Sequence, residues 1–235
     1  MTIEKRNVPA TDFTQKQKPW KLTSSQWLVY YWLLSHSNWN SYQREDHYYI
    51  YKNKIVNAQI MRDCGIKSKT TVHTAFSKLE EVGAIGKSNY ADAYEIYFPI
   101  IYVPLDIRII RIFLAFNKHI DSAQMILLYS ILRRIFIFDK GEPVDFTAAG
   151  LCALLGKARQ NVDNMGIVLM LALFEHLKLI ELVKVQYTNT MGVKCIRYTL
   201  TSIKDTADDE ILTELNFDEE EIPEKWAADM WKKIM

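Results

Sequence analysis

Two stretches decide the predicted fold: Leu79-Glu80-Glu81-Val82-Gly83-Ala84-Ile85 and Phe174-Glu175-His176-Leu177-Lys178-Leu179-Ile180. Both run in the same order, from an apolar residue through an acidic and a polar one to a Gly or Lys and a final Ile. Each ends a segment whose apolar residues recur at helical spacing, and each is followed by a strand–turn–strand pattern. The same combination occurring twice predicts an internal repeat.

A second pair of anchors supports the repeat. Thr23-Ser24-Ser25-Gln26 and Asp121-Ser122-Ala123-Gln124 each place a capping side chain three residues before a Gln, as at a helix N-terminus. The two Gln residues are 98 positions apart, and the two helix endings are 95 positions apart. Such similar offsets at two independent places indicate two copies of one unit.

Both copies are predicted to have the same order of elements. The first has a helix from Thr23, a strand over 47–51, helices over 58–64 and from Ser68, and a strand over 94–98. The second has helices over 123–138, 148–155 and 159–179, a strand over 142–146, and a hairpin formed by 183–187 and 193–200. This order is that of a winged helix-turn-helix. The predicted fold class is therefore mainly α with small β-hairpins (α+β), as two tandem winged helix-turn-helix units packed on each other.

Four regions follow from these patterns. Residues 1–22 form a basic N-terminal arm, which is either frayed or in contact with DNA, and residues 23–99 form the first winged-helix domain. Residues 100–204 form the second domain, which begins with an extra helix over 105–116. Residues 205–235 form an acidic tail that ends in an amphipathic helix, since Trp226, Met230 and Ile234 recur every four residues.

Bulk composition narrows the function classes. The apolar fraction of 49% with 24% charged residues is typical of a globular chain. No apolar run is long enough to cross a membrane, and residues 1–6 lack the apolar segment of a signal peptide, so a cytoplasmic location without a membrane partner is expected. Cys64, Cys152 and Cys195 are far apart, which favours reduced, mostly buried thiols over a metal site.

The sequence offers little support for catalysis. It has no Gly-rich phosphate loop, no H-E-x-x-H and no G-x-S-x-G, and its five His residues are scattered. We therefore expect a protein that is not an enzyme and that has no cofactor and no bound metal.

Charge is distributed unevenly although the net charge is only +1. Residues 205–235 hold eleven acidic and three basic residues, whereas the rest of the chain holds 26 basic and 17 acidic residues. A basic body with an acidic tail is typical of a protein that binds phosphate.

The first copy carries the clearer DNA-binding pattern. A helix-turn-helix contacts DNA with the start and the exposed face of its second helix. Residues 52–87 contain seven basic and three acidic residues, and hydroxyl groups lie on the polar face of the predicted helix, where they suit phosphates and base edges. The predicted DNA-binding residues of this copy are Lys67, Ser68, Lys69, Thr70, Thr71, His73, Thr74, Lys78 and Lys87.

The second copy is less clear. Arg159, Gln160 and Asn161 are predicted to contact bases, because Arg suits guanine and Asn and Gln suit adenine. The stretch 166–174 that follows is apolar on nearly all sides, which predicts a core helix or an interface for a homodimer. For the C-terminal amphipathic segment, docking on the body and docking on a partner protein are both open.

The stretch Asp63-Cys-Gly-Ile-Lys-Ser-Lys-Thr-Thr-Val72, leading to the helix ending at Ile85, resembles the turn and helix of winged-helix regulators. The tandem arrangement over residues 23–98 and 121–200 resembles replication initiators of bacterial plasmids and phages. The resemblance implies sequence-specific binding of double-stranded DNA at repeats in a replication origin. Two alternatives stay open: a transcriptional regulator with the same fold, and a winged-helix dimerisation or docking scaffold that does not bind DNA.

Overall fold

The computed structural model describes residues 4–10, 20–39, 47–88, 92–156, 161–215 and 222–235. Helices and small antiparallel sheets make up this part of the chain, which confirms the α+β class. The first half contains β1 (Lys5–Pro9), α1 (Ser24–Ser35), β2 (Asn38–Trp39), β3 (His47–Tyr51), α2 (Asn57–Asp63), α3 (Lys69–Glu81), β4 (Ile85–Lys87), β5 (Ala93–Tyr97) and β6 (Tyr102–Asp106).

The second half begins with α4 (Ile107–Ala115) and repeats the same order before the tail. It contains α5 (Ser122–Phe138), β7 (Val144–Phe146), α6 (Ala148–Leu154), α7 (Asn161–His176), β8 (Ile180–Thr188), β9 (Lys194–Ile203), α8 (Asp209–Glu214) and α9 (Glu224–Ile234). Strand order is β2-β3-β5-β4 in the first sheet and β7-β9-β8 in the second. In both sheets the last strand of the hairpin therefore lies between its partner and the strand that precedes the two short helices.

The two repeated stretches end their helices with the same hydrogen bonds. In α3 the amides of Gly83 and Ala84 donate to the carbonyls of Glu80 and Leu79, at 3.1 and 2.8 Å. In α7 the amides of Lys178 and Leu179 donate in the same way to Glu175 and Phe174, at 2.9 Å each. This pattern needs a left-handed residue after the helix, and Gly83 and Lys178 have φ of +69° and +55°. The shared pattern is thus a shared way of ending a helix.

The helix starts agree with the capping predictions, with one difference. The amide of Thr23 donates to Gln26 Oε1 at 2.8 Å, which is one half of a capping box on α1. On α5 the carboxylate of Asp121 accepts the amide of Gln124 at 3.2 Å, but Gln124 Oε1 is buried without a hydrogen-bond partner. The second copy therefore has the helix cap but lacks the reciprocal hydrogen bond, which the Gln124 side chain would accept.

A continuous core joins the two halves. Helix α1 packs against α3 of the first half and against α4 and α5 of the second. Because it is covered on all sides, Tyr30, Tyr31, Trp32 and Leu33 are all fully buried. The Ser24 hydroxyl also donates to Asp121 Oδ1 at 2.6 Å, which joins the starts of α1 and α5.

The N-terminal segment corrects one prediction. Residues 5–9, predicted as part of a basic arm, form strand β1, which pairs antiparallel with β6. Val8 and Ala10 are fully buried, and the guanidinium of Arg6 donates to the carbonyl of Ser37 inside the fold. Residues 11–19 of the predicted arm lie outside the described residues. The helix predicted over 105–116 is likewise shorter, because its first residues complete β6.

The C-terminal tail packs on the body over its described residues. Asp205 accepts from Lys5 at 2.8 Å and lies 3.0 Å from Arg133 Nη2; burial raises its pKa, but these cations more than offset that effect and hold the pKa below its usual range. Ala207, Ile211 and Leu215 are buried, so residues 205–215 of the acidic tail pack on the body. Helix α9 buries Ala227 and Met230 against the body, so the predicted amphipathic segment docks within the chain.

Candidate nucleic-acid interface

The turn between α2 and α3 sets the position of α3. Gly65 has a φ of +63°, and the space where a β-carbon would lie is filled by the side chain of Asn117. Ser68 then caps α3, since its Oγ accepts the amide of Thr70 at 3.2 Å. Val72, Ala75 and Leu79 bury one face of α3, so the opposite face is held in solvent.

Most of the predicted first-copy residues share that exposed face. Of these predicted residues, the ones that are exposed on α3 and in the turn before it are Lys67, Ser68, Lys69, Thr70, His73 and Thr74. Lys87 is exposed at the end of β4. Within the described part of the chain, no carboxylate forms an ion pair with Lys67, Lys69 or Lys87. This surface therefore presents cations and hydroxyls that are available to a polyanion.

Other residues of the predicted site are placed differently. Thr71 is half-buried and lines a cleft beside α3. Lys78 is half-buried and pairs with Glu81 at 2.5 Å, on the last turn of the helix. Lys52, one of the bases in the first-copy count, pairs with Asp92 at 2.6 Å. These residues add less free charge to the surface than the sequence count suggests.

The second copy offers fewer free cations. Lys184 pairs with Glu175 at 2.6 Å, Lys178 pairs with Glu210, and Arg197 lies 3.9 Å from Asp145. Arg159 and Gln160 lie outside the described residues, as does the side chain of Asn161 at the start of α7. The rest of α7 is a core helix, with Ile167, Leu171 and Phe174 among its buried residues.

A cleft of about 620 Å³ lies beside the start of α3. One wall is the turn and first residues of α3, including Lys67 and Ser68, and another is the start of α1 with Ser24 and Ser25. The third wall is the segment 117–122 between α4 and α5, which brings in Lys118 and His119. This segment was not among the predicted site residues, because nothing in its local pattern indicates that it lies against residues some 50 positions earlier.

Sites of other kinds have no support in the described ranges. There, His, Cys, Asp and Glu residues form no group of three that could hold a metal ion. The Cys64 and Cys152 thiols are buried and that of Cys195 is partly exposed, and burial raises the pKa of Cys64 well above its usual value. A helix with the length and apolar character needed to cross a bilayer does not occur in these ranges.

No protein-family model matches the chain, and searches of curated proteins and of solved structures found no match either. The resemblance to replication initiators therefore stays a prediction.

Proposed function

We propose that the chain is a tandem winged-helix protein that binds duplex DNA sequence-specifically and initiates replication of a mobile element. The repeated order of elements and the shared strand order of the two sheets support the fold. The exposed face of α3, with its unpaired cations and its hydroxyls, is the single observation that carries DNA binding.

In the proposed complex, α3 lies in the major groove. Lys69, Thr70, His73 and Thr74 face the base edges, where Lys suits guanine and the methyl group of Thr suits thymine. Lys67 before the helix and Lys87 at the hairpin contact phosphates on either side. Such contacts fix the position of the protein but do not distinguish sequences.

The second copy has a different role in this proposal. Lys178, Lys184 and Arg197 of this copy are held in ion pairs. Its β8 is an edge strand of nine residues on which Val183 and Val185 are about half exposed. An exposed apolar edge strand is a template for pairing with another strand. We assign this edge to homodimer formation, which suits binding to repeated sites.

Replacing Lys69 tests the DNA contact. Lys69→Gln should weaken binding about tenfold and reduce the slope of log K against log salt by about one, because one cationic contact with the DNA is lost. Fluorescence anisotropy with duplexes selected from random sequence measures both quantities. Lys225→Gln on α9 changes the net charge equally and is the control. If Lys69→Gln behaves like Lys225→Gln, or if the unaltered chain binds no duplex near physiological salt, the proposal fails.

Two experiments distinguish replication initiation from transcriptional regulation. One identifies the DNA that the protein selects, and the other tests whether the protein maintains a plasmid. An initiator should select direct repeats and should maintain a plasmid whose only origin is the DNA flanking its gene. A regulator should instead select a site within its own promoter and should not maintain that plasmid. A docking scaffold should select no sequence.

A further inference from the structure

Three helices begin at the cleft beside α3. They are α1, α3 and α5, of 12, 13 and 17 residues. The cleft is lined by Ser24 and Ser122, the first residues of α1 and α5, and by Ser68, the N-cap of α3. The first-turn amides of a helix have no partner within the helix, and the helix dipole places partial positive charge there. The lining combines apolar residues, among them Leu28, Ile66 and Ile120, with hydroxyls and amides that suit the oxygens of an anion.

Side-chain charge in the cleft comes from three groups besides His119. Lys67 and Lys118 are its cations, and they come from two different segments of its lining. The carboxylate is Asp121, whose Oδ1 accepts both the Ser24 hydroxyl and the Gln124 amide, at 2.6 and 3.2 Å. Asp121 acts as the cap of α5, and within the described residues it forms no ion pair with Lys67 or Lys118.

A carboxylate from the tail is already bound at the edge of the cleft. Glu224 lies 2.7 Å from Lys118 Nζ, and this contact lowers the pKa of Glu224. Beside it, Trp231 stacks on His119 and Trp226 packs edge-on against Phe116, with ring centroids 5.8 Å apart in each pair. Helix α9 therefore holds an acidic side chain on a lysine that faces the start of α3.

The contact between Lys118 and Glu224 is weak enough for another anion to replace Glu224. The side chains of Lys118 and Glu224 are 50% and 69% exposed, and such exposed pairs contribute little to stability. The Trp226 indole N–H is buried without an acceptor, which further lowers the gain from docking α9. A competing anion with more than one oxygen ligand can replace the carboxylate at low cost.

We propose that the cleft binds a backbone phosphate of duplex DNA, with Lys67 and Lys118 as its cationic ligands, and that Glu224 occupies Lys118 when DNA is absent. The inference rests on the proposed function, because the cleft adjoins the start of α3, where the backbone beside a bound major groove would run. It adds Lys118, from outside the helix-turn-helix, to the DNA-binding surface. Free phosphate shares the chemistry of the ligand and is a separate arm of the test.

The test uses the full chain and a random-sequence duplex, since a phosphate contact does not depend on sequence. Anisotropy is measured from about 50 to 200 mM salt for the unaltered chain, Lys118→Gln, Glu224→Gln and the double variant. Lys225→Gln, one residue from Glu224, is the matched control. Thermal unfolding checks that each variant is folded.

Lys118→Gln should lower the salt slope by about one, and Lys225→Gln should leave it unchanged. Glu224→Gln should tighten binding about two- to fivefold with the same slope, because Lys118 is released from an exposed ion pair. In the Lys118→Gln background, Glu224→Gln should have no effect, because the two residues act through one contact.

Three outcomes would overturn the inference. If Lys118→Gln has the same salt slope as Lys225→Gln while Lys69→Gln has a lower slope, the cleft holds no phosphate and the proposed function stands. If Glu224→Gln tightens binding equally with and without Lys118, the tail acts elsewhere. If inorganic phosphate shifts the NMR amide signals of Ser25 and Lys69 but no duplex is bound, the cleft takes free phosphate, and the proposed function fails with the assignment to DNA.

Discussion

At the level of single residues, Gly65 shows how closely the turn between α2 and α3 is fitted to the rest of the molecule. Its positive φ disfavours any side chain, and Asn117 occupies the space beside it. Asn117 in turn donates to the carbonyls of Asp63 and Leu114, so one amide connects α2 to the end of α4. The position of the turn before α3 thus depends on a residue from the second half.

We expect Gly65→Ala to destabilise the chain more than Gly83→Ala. Both glycines have positive φ, which costs about 1–2 kcal/mol for a residue with a side chain, but nothing lies within 4 Å of the β-carbon position of Gly83. The overlap with Asn117 should add at least about 1 kcal/mol at Gly65. Urea unfolding measures both variants. Equal losses of stability in the two variants would show that the contact with Asn117 is unimportant. In the Gly65→Ala background, Asn117→Ala should remove the overlap and recover part of the lost stability.

His36 makes stability depend on pH. Burial lowers its pKa from 6.5 to about 4, with the nearby Arg111 adding to the effect, and its Nδ1 lies 2.8 Å from the carbonyl oxygen of Trp32. The unfolded chain therefore binds a proton at this residue at a higher pH than the folded chain does. The stability that comes from neutral His36 is full above about pH 6.5 and falls as the pH drops towards 4, by at most about 3 kcal/mol.

Unfolding in urea between pH 7.5 and 4.5 checks this pH dependence. His36→Asn should be less stable at neutral pH but should lose less stability on acidification. The variant His176→Asn changes an exposed residue and should retain the pH dependence of the unaltered chain. An equal loss on acidification in all three proteins would contradict the assignment to His36.

At the scale of elements, strand pairing is the feature least visible in the sequence. β1 is only five residues long, and its partner β6 lies almost a hundred residues further on. A short stretch with Pro9 at its end has too few residues for a clear alternation of apolar and polar positions. Val8 is nonetheless fully buried, so the strand belongs to the core.

The exposed edge of β8 yields a prediction about assembly. Val185→Lys should shift the protein from dimer to monomer, because a lysine on an edge strand opposes pairing with a second edge. Sedimentation equilibrium measures the mass. Thr213→Lys, on an exposed position of α8, adds the same charge away from the sheet and should leave the dimer intact. A monomeric unaltered chain at micromolar concentration would contradict the proposed homodimer.

At the scale of the whole molecule, the tail belongs to the fold. Asp205 lies between Lys5 and Arg133, and the amide of Ala207 donates to the buried carboxylate of Asp106 at 3.2 Å. These contacts join the N-terminal strand, the start of α4 and the tail. A chain cut at residue 204 would therefore lose more than an acidic appendage.

Truncation after Lys204 should lower the melting temperature by about 10 °C or more. Removing Ile211 and Leu215 exposes core surface, and the lost burial of each side chain costs about 1.5–3 kcal/mol of stability. Arg133 also loses its ion pair with Asp205. Truncation after Leu215 keeps these contacts and should cost clearly less. Differential scanning calorimetry compares the two. Equal melting temperatures would mean that residues 205–215 add nothing to the fold.

The sequence by itself determined the local features of this protein. The cap at Asp121, the helix start at Ser68 and the two matching helix endings formed as predicted, because each depends on hydrogen bonds within about six residues. Strand His47–Tyr51 also formed where predicted. The exposed face of α3 follows from helical spacing alone.

Only the tertiary structure decided what lies next to that face. The approach of Lys118 to α3, the pairing of β1 with β6 and the docking of α9 join residues tens to hundreds of positions apart. The packing also distinguishes Lys78 and Lys184, which are in ion pairs, from Lys67 and Lys69, which have no ion pair among the described residues. The four residues look alike in a charge count. The physical reason is that burial and ion pairing are set by the packing of distant segments, which local periodicity does not specify.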